Sequence, residues 1–152
     1  MLQKLLTVIS VCGLGFLFLN LAFMTDYAFQ MFLMWIISSV ADVDMLVQTS
    51  ALPAVLHIAF LILLAVASSS ILRSRVNTVV KAAWLMVPIA AVYLTIGMFT
   101  VTYPVIGIIG GILAGAGMLY GIRRYGNHWS YYVSWFAIGA GMLIGAILGL
   151  DV

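Results

Sequence analysis

Five apolar runs, each long enough to cross a lipid bilayer, dominate the 152-residue sequence. A helix needs about 20 apolar residues to cross a hydrocarbon core of ~30 Å. Hydrophobic residues make up 66% of the chain and charged residues 7%, whereas a soluble domain is roughly half apolar and a quarter charged. The sequence therefore predicts an all-α, polytopic transmembrane helical bundle that forms a single domain over residues 1–152. The predicted spans are residues 5–24, 52–72, 82–101, 105–122 and 132–150.

The positively charged residues indicate which way this bundle lies in the membrane. Cytoplasmic loops of membrane proteins carry an excess of Lys and Arg. A five-span arrangement with a cytoplasmic N-terminus puts all six basic residues on the cytoplasmic side and all four aspartates outside. The sequence thus predicts an integral protein of the plasma (inner) membrane with cytoplasmic basic loops. The basic residues are Lys4, Arg73, Arg75, Lys81, Arg123 and Arg124.

The segment between the first two spans leaves the span count open. Its apolar part, residues 27–41, has a helical length of about 22 Å, which is short for a hydrocarbon core of ~30 Å. We expect it to form an outer interfacial or re-entrant helix. In the alternative, this segment spans as well, the protein has six spans with its N-terminus outside, and only Lys4 violates the charge rule.

Small residues recur every fourth position in the last two predicted spans. Such spacing lets helices approach closely in lipid, where hydrophobicity does not drive helices together. We expect the two spans to pack on each other, and a second small face on the fourth span to meet another helix or a neighbouring subunit. The helix-packing residues are Gly107, Gly111 and Gly115, then Gly110, Gly117 and Gly121, and in the fifth span Gly141, Gly145 and Gly149.

Few polar residues lie within or next to the spans. Asn20 and His57 fall at a similar depth near the outer ends of their spans, and Asp26, Asp42 and Asp44 can approach them from outside. The sequence thus suggests an outer polar pocket, which either binds a proton or small ligand or only joins helices by hydrogen bonds. One histidine and aspartates from separate segments make a weak metal pattern, so we expect neither a metal nor a cofactor.

A second cluster lies at the cytoplasmic end of the last two spans. Arg123 and Arg124 are followed by His128 in a short aromatic turn. Basic residues at this level of the membrane bind lipid headgroups, and the alternative is a plain interfacial anchor.

No enzyme motif is present, because the chain lacks a nucleophile elbow, a His-Glu-x-x-His motif and paired intramembrane carboxylates. We expect a non-catalytic protein that acts through helix–helix association as a subunit or scaffold of a larger membrane assembly. The alternative is a homo-oligomeric channel or carrier with its pore between subunits. Expected partners are membrane lipids and other membrane subunits or further copies of the chain. Nucleic acid is not expected, because the basic residues are dispersed over span ends.

Labelling of an introduced cysteine tests the topology. In a variant with Cys12→Ala and Gln3→Cys, we expect no reaction with a membrane-impermeant maleimide added from outside, because Met1 lies inside in the five-span arrangement. Labelling of Arg75→Cys in the same background serves as the cytoplasmic reference. Reaction at position 3 from outside would establish six spans.

Overall fold

The computed structural model describes residues 2–40, 51–126 and 128–147, and within these ranges every element is an α-helix. The predicted all-α fold is therefore confirmed. Four of the helices are long and apolar enough to cross a membrane. The fifth predicted span, residues 132–150, continues beyond the described part of its helix. The helices are α1 (Leu2–Val40), α2 (Ala51–Arg73), α3 (Thr78–Thr102), α4 (Pro104–Tyr125) and α5 (Trp129–Ile147).

Helix α1 corrects the prediction of a separate interfacial or re-entrant helix. Its 39 residues run without a break, so residues 25–40 continue the first span over a total length of about 58 Å. No Gly or Pro interrupts residues 16–40. The polar residues there bond along the helix, since Thr25 Oγ1 donates to the Leu21 carbonyl at 2.7 Å and Gln30 Nε2 donates to Asp26 Oδ1 at 2.9 Å. These polar residues interrupt the apolar run, but their side chains are satisfied within the helix, so the helix continues through them.

Local signals set the remaining helix boundaries. Asn77 caps α3, because its side-chain oxygen accepts from the Val79 N–H at 2.9 Å. Pro104 begins α4, where its missing N–H costs no helical hydrogen bond. His128 precedes α5, and its carbonyl accepts from the Tyr131 N–H at 3.0 Å.

Helix α3 is the centre of the bundle. It packs against all four other helices, most extensively against α1 and then against α5 and α4. Six of the eleven buried apolar residues of the described chain lie on it, namely Ala82, Ala83, Met86, Val87, Ile89 and Ala90. The alanines allow the surrounding backbones to come close, which is the main source of helix attraction in lipid.

All six basic residues lie at one end of the bundle, which we call the basic end. Val11 of α1 packs in one buried cluster with Ala82 near the start of α3. Lys81 Nζ donates to the Leu72 carbonyl near the end of α2 at 2.8 Å, and Ser134 near the start of α5 also reaches Ala82. The fold thus groups the basic loops as the charge pattern predicted. Their location in the cytoplasm stays a prediction.

The last two spans are in contact, but only over a small part of their length in the described chain. Contact between α4 and α5 is the least extensive among the packed helix pairs. The first small face of α4 lies against α3 instead: a Cβ added at Gly111 would lie 3.9 Å from Ile96 Cγ2, and one at Gly115 would lie 2.6 Å from Tyr93 Oη. Gly107 is buried as well. The physical reason is that the glycines leave room on α4 for the larger side chains of Tyr93 and Ile96 on α3.

The other predicted packing glycines have different surroundings. An added Cβ at Gly110 would also lie 3.9 Å from Ile96 Cγ2, whereas one at Gly117, Gly121 or Gly141 would meet nothing within 4 Å. The surroundings of Gly145 are not described, and Gly149 lies outside the described residues.

Helix α5 docks through serines that the glycine pattern did not single out. Ser130 and Ser134 are fully buried, and Ser134 Oγ donates to the Ala82 carbonyl at 2.5 Å. Their four-residue spacing is the same small-residue signal that was read from the glycines. The serines, and the alanines of α3, could therefore have been found from the sequence.

Two glycines on α4 give a matched test of this packing. We expect Gly115→Ala to lower the unfolding free energy by about 1–3 kcal/mol, because its methyl group would collide with the rigid Tyr93 side chain. Gly117→Ala should leave stability unchanged or raise it by up to ~1 kcal/mol through helix propensity. Thermal unfolding of both variants in the same detergent measures the difference. Equal effects would contradict the close approach of α4 to α3.

Candidate functional site

Three helices meet at His57, the only histidine within a predicted span. Its Nε2 lies 3.0 Å from Thr95 Oγ1 of α3, and its Nδ1 lies 3.7 Å from Asp26 Oδ2 of α1. Gln30 extends the chain of polar groups by donating to Asp26 Oδ1. We call Gln30, Asp26, His57 and Thr95 the polar chain.

The hydrogen bonds determine where the protons of this chain lie. Thr95 Oγ1 donates its single proton to the Ala91 carbonyl at 2.7 Å. Towards His57 it can therefore only accept, so His57 Nε2 carries a proton and donates. The remaining nitrogen, Nδ1, faces a carboxylate oxygen of Asp26 at 3.7 Å.

The polar chain lies inside the apolar part of the bundle, towards the end opposite the basic residues. Along the helix axes, Thr95 is about 21 Å from Lys81 and His57 about 24 Å from Arg73. Both positions fall within a hydrocarbon core of ~30 Å. The side chains of His57 and Asp26 are 25% and 16% exposed. Ionisable groups at such depth are costly and mark functional sites or structural pairs.

Of the residues predicted for the outer polar pocket, the structure brings His57 and Asp26 together. His57 is at the centre of the polar chain, and Asp26 belongs to a helix rather than to an outer loop. Asn20 is not part of it, because its side chain is exposed and donates to the Phe16 carbonyl of its own helix at 2.7 Å. Asp42 and Asp44 lie outside the described residues. The partnership of Thr95 with His57 became visible only in the fold.

No group of three His, Cys, Asp or Glu side chains comes together in the described part of the chain. The polar chain contains one imidazole and one carboxylate, and its other members are a hydroxyl and an amide. These four side chains can exchange hydrogen bonds and can bind or release protons.

The predicted lipid-headgroup residues lie at the basic end. Arg123 and Arg124 are exposed on the last turn of α4. His128 lies across the short turn that follows, where its Nδ1 is 2.7 Å from Ser130 Oγ and its ring is in contact with Trp129 and Tyr131. The imidazole therefore helps to begin α5, and the two arginines remain exposed at the basic end.

The chain was compared with protein-family models, curated proteins and solved structures, and none of them matches it.

Substitutions at His57 test whether the polar chain joins the helices. We expect His57→Leu to lower the unfolding free energy by about 1–3 kcal/mol, because Asp26 and Thr95 lose their partner in an apolar setting. His57→Gln should retain most of the stability, since its amide can still donate to Thr95. The control is Asn20→Leu, whose side chain bonds only within α1, and its effect should be near zero. Equal stability of the Leu and Gln variants at position 57 would argue against the chain.

Proposed function

We propose that this protein is a non-catalytic integral membrane subunit that acts by associating with other membrane helices through α4 and α5. The observation that carries the proposal is the set of small-residue positions that remain uncovered once the chain has folded. An added Cβ would meet nothing within 4 Å at Gly117 of α4 or at Gly139 and Gly141 of α5.

The way α4 is held supports this proposal. It packs extensively on α3 and only slightly on α5, so most of its circumference is open. Large apolar side chains on its open sides are 53–70% exposed, which suits lipid or a partner helix. Small residues on a helix surface gain most when another backbone comes close. A neighbouring helix would therefore gain more from Gly117 than lipid chains would.

The surface of α5 points the same way. Gly141 is exposed, and Ala137 one turn before it lines a shallow surface depression with Val8 and Cys12 of α1. Ala137 and Gly141, four residues apart on α5, thus lie on a side of the helix that is next to α1. The two helices therefore offer separate surfaces, which favours contact with more than one partner helix.

A second candidate is a homo-oligomeric carrier, favoured by the polar chain alone. Asp26 and His57 are ionisable groups within the bundle, and side chains of this kind form proton relays in transporters. In the assembly-subunit proposal, the same residues serve to hold α1, α2 and α3 together. The two candidates differ in the neighbours of the protein in the membrane: other proteins for the assembly subunit, and copies of itself for the carrier.

Paired glycine substitutions test the association. We expect the wild-type protein, extracted from its own membrane in a mild detergent, to migrate in a complex with other proteins. Gly117→Leu and Gly141→Leu should each weaken that complex by about 5- to 150-fold, because a bulky side chain costs ~1–3 kcal/mol at a close contact. Light scattering after size-exclusion chromatography measures the assembly.

Gly13→Leu is the matched control, because Gly13 is also exposed with no neighbour within 4 Å but lies on α1. It should leave the complex intact. A wild-type protein that is monomeric under these conditions would refute association. A ring that contains only copies of this chain around a central opening would favour the carrier.

A further inference from the structure

A groove opens between α2 and α4 at the basic end of the bundle. Both helices pack on α3 but have no extended contact with each other in the described chain, so α3 forms the floor between them. The groove encloses about 580 Å³, which lies within the range of roughly 300–1,000 Å³ for small-molecule sites. The groove is partly open to the outside of the bundle.

Polarity changes along the groove from its mouth to its inner end. Arg73, Ser69 and Tyr131 lie towards the basic end, whereas Ala65, Val92 and Met118 lie deeper along their helices. The lining of each main helix extends over about 12 Å, most of the ~15 Å depth of one hydrocarbon leaflet. A ligand that fits this lining has a polar head and an apolar chain.

The charge at the mouth of the groove determines which charge the polar head of the ligand should carry. Arg73 is the one charged residue in the lining. The described carboxylate of the chain, Asp26, lies about 33 Å along α1 from Lys4, so no described acidic side chain neutralises the basic end. An anionic head is therefore favoured over a cationic one.

The width of the groove depends on a glycine. Gly121 lines the wall formed by α4, and a Cβ added there would meet nothing within 4 Å. A larger side chain at this position would project into the groove without disturbing the packing of α4 on α3. The opposite wall contains Ser68, whose hydroxyl accepts from Trp84 Nε1 at 3.0 Å and so holds α2 to the floor.

We infer that this groove binds one anionic phospholipid, with the phosphate at Arg73 and Ser69 and an acyl chain lying along α3 between α2 and α4. Basic pockets between membrane helices recognise anionic headgroups in this way. The site differs from the headgroup cluster predicted at Arg123, Arg124 and His128, because it offers an apolar channel as well as charge. It does not depend on the proposed association through α4 and α5.

Native mass spectrometry of the full-length protein tests the site. The protein in detergent is titrated with phosphatidylglycerol or with phosphatidylcholine of the same acyl chains. We expect one tightly bound phosphatidylglycerol per chain. Arg73→Gln should reduce its preference over phosphatidylcholine by about fivefold, and Gly121→Leu should displace both lipids because it fills the groove.

Two matched variants identify the groove as the site. Arg75→Gln removes a charge from the same loop but not from the lining, and Ala116→Leu adds bulk on an exposed position of α4 outside the lining. Both should bind lipid like the wild type. Equal losses for Arg73→Gln and Arg75→Gln, or full binding by a folded Gly121→Leu variant, would overturn the proposal. A change in oligomer mass without lipid loss in Gly121→Leu would also overturn it, in favour of a second chain in the groove.

Discussion

The close contact of α5 and α1 with the first turns of α3 is the interaction on which the rest of the bundle depends. Helices in lipid gain little from hydrophobicity and must gain from close approach and interhelical hydrogen bonds. Ala82 provides both, because it has a small side chain packed near Val11 of α1 and a carbonyl that accepts from Ser134 of α5. With α3 surrounded in this way, α2 and α4 are added at its remaining sides.

The polar chain plays the corresponding part at the opposite end. His57 of α2 reaches Thr95 of α3 and Asp26 of α1 at once, so a single side chain joins three helices. Interhelical hydrogen bonds in membranes contribute only about 0.6 kcal/mol on average. The polar chain is more important for the register of the three helices. If one helix slid by one turn, a carboxylate and an imidazole would be left without partners in an apolar environment.

Both proposals concern the periphery that this arrangement leaves uncovered. Because α4 is held mainly by α3, it has one side next to the groove shared with α2 and other sides open to the membrane. Gly121 belongs to the groove, while Gly117 lies one turn away without a neighbour. A lipid in the groove and a partner helix on α4 can thus be present together. This follows from the central position of α3, because the other helices pack on α3 and keep their outer sides open for lipid or partner helices.

The sequence by itself determined the all-helical membrane fold and the grouping of basic residues, because apolar run length and charge placement are local properties. It also named His57 as one member of a candidate polar pocket. Only the tertiary structure decided which faces meet: the glycines of α4 lie mainly against α3, and Asp26 rather than Asn20 faces His57. Small-residue spacing indicates that another helix can approach that face closely, but several helices here have such faces. The choice among them depends on how all five pack together, and this information is not contained in any single span.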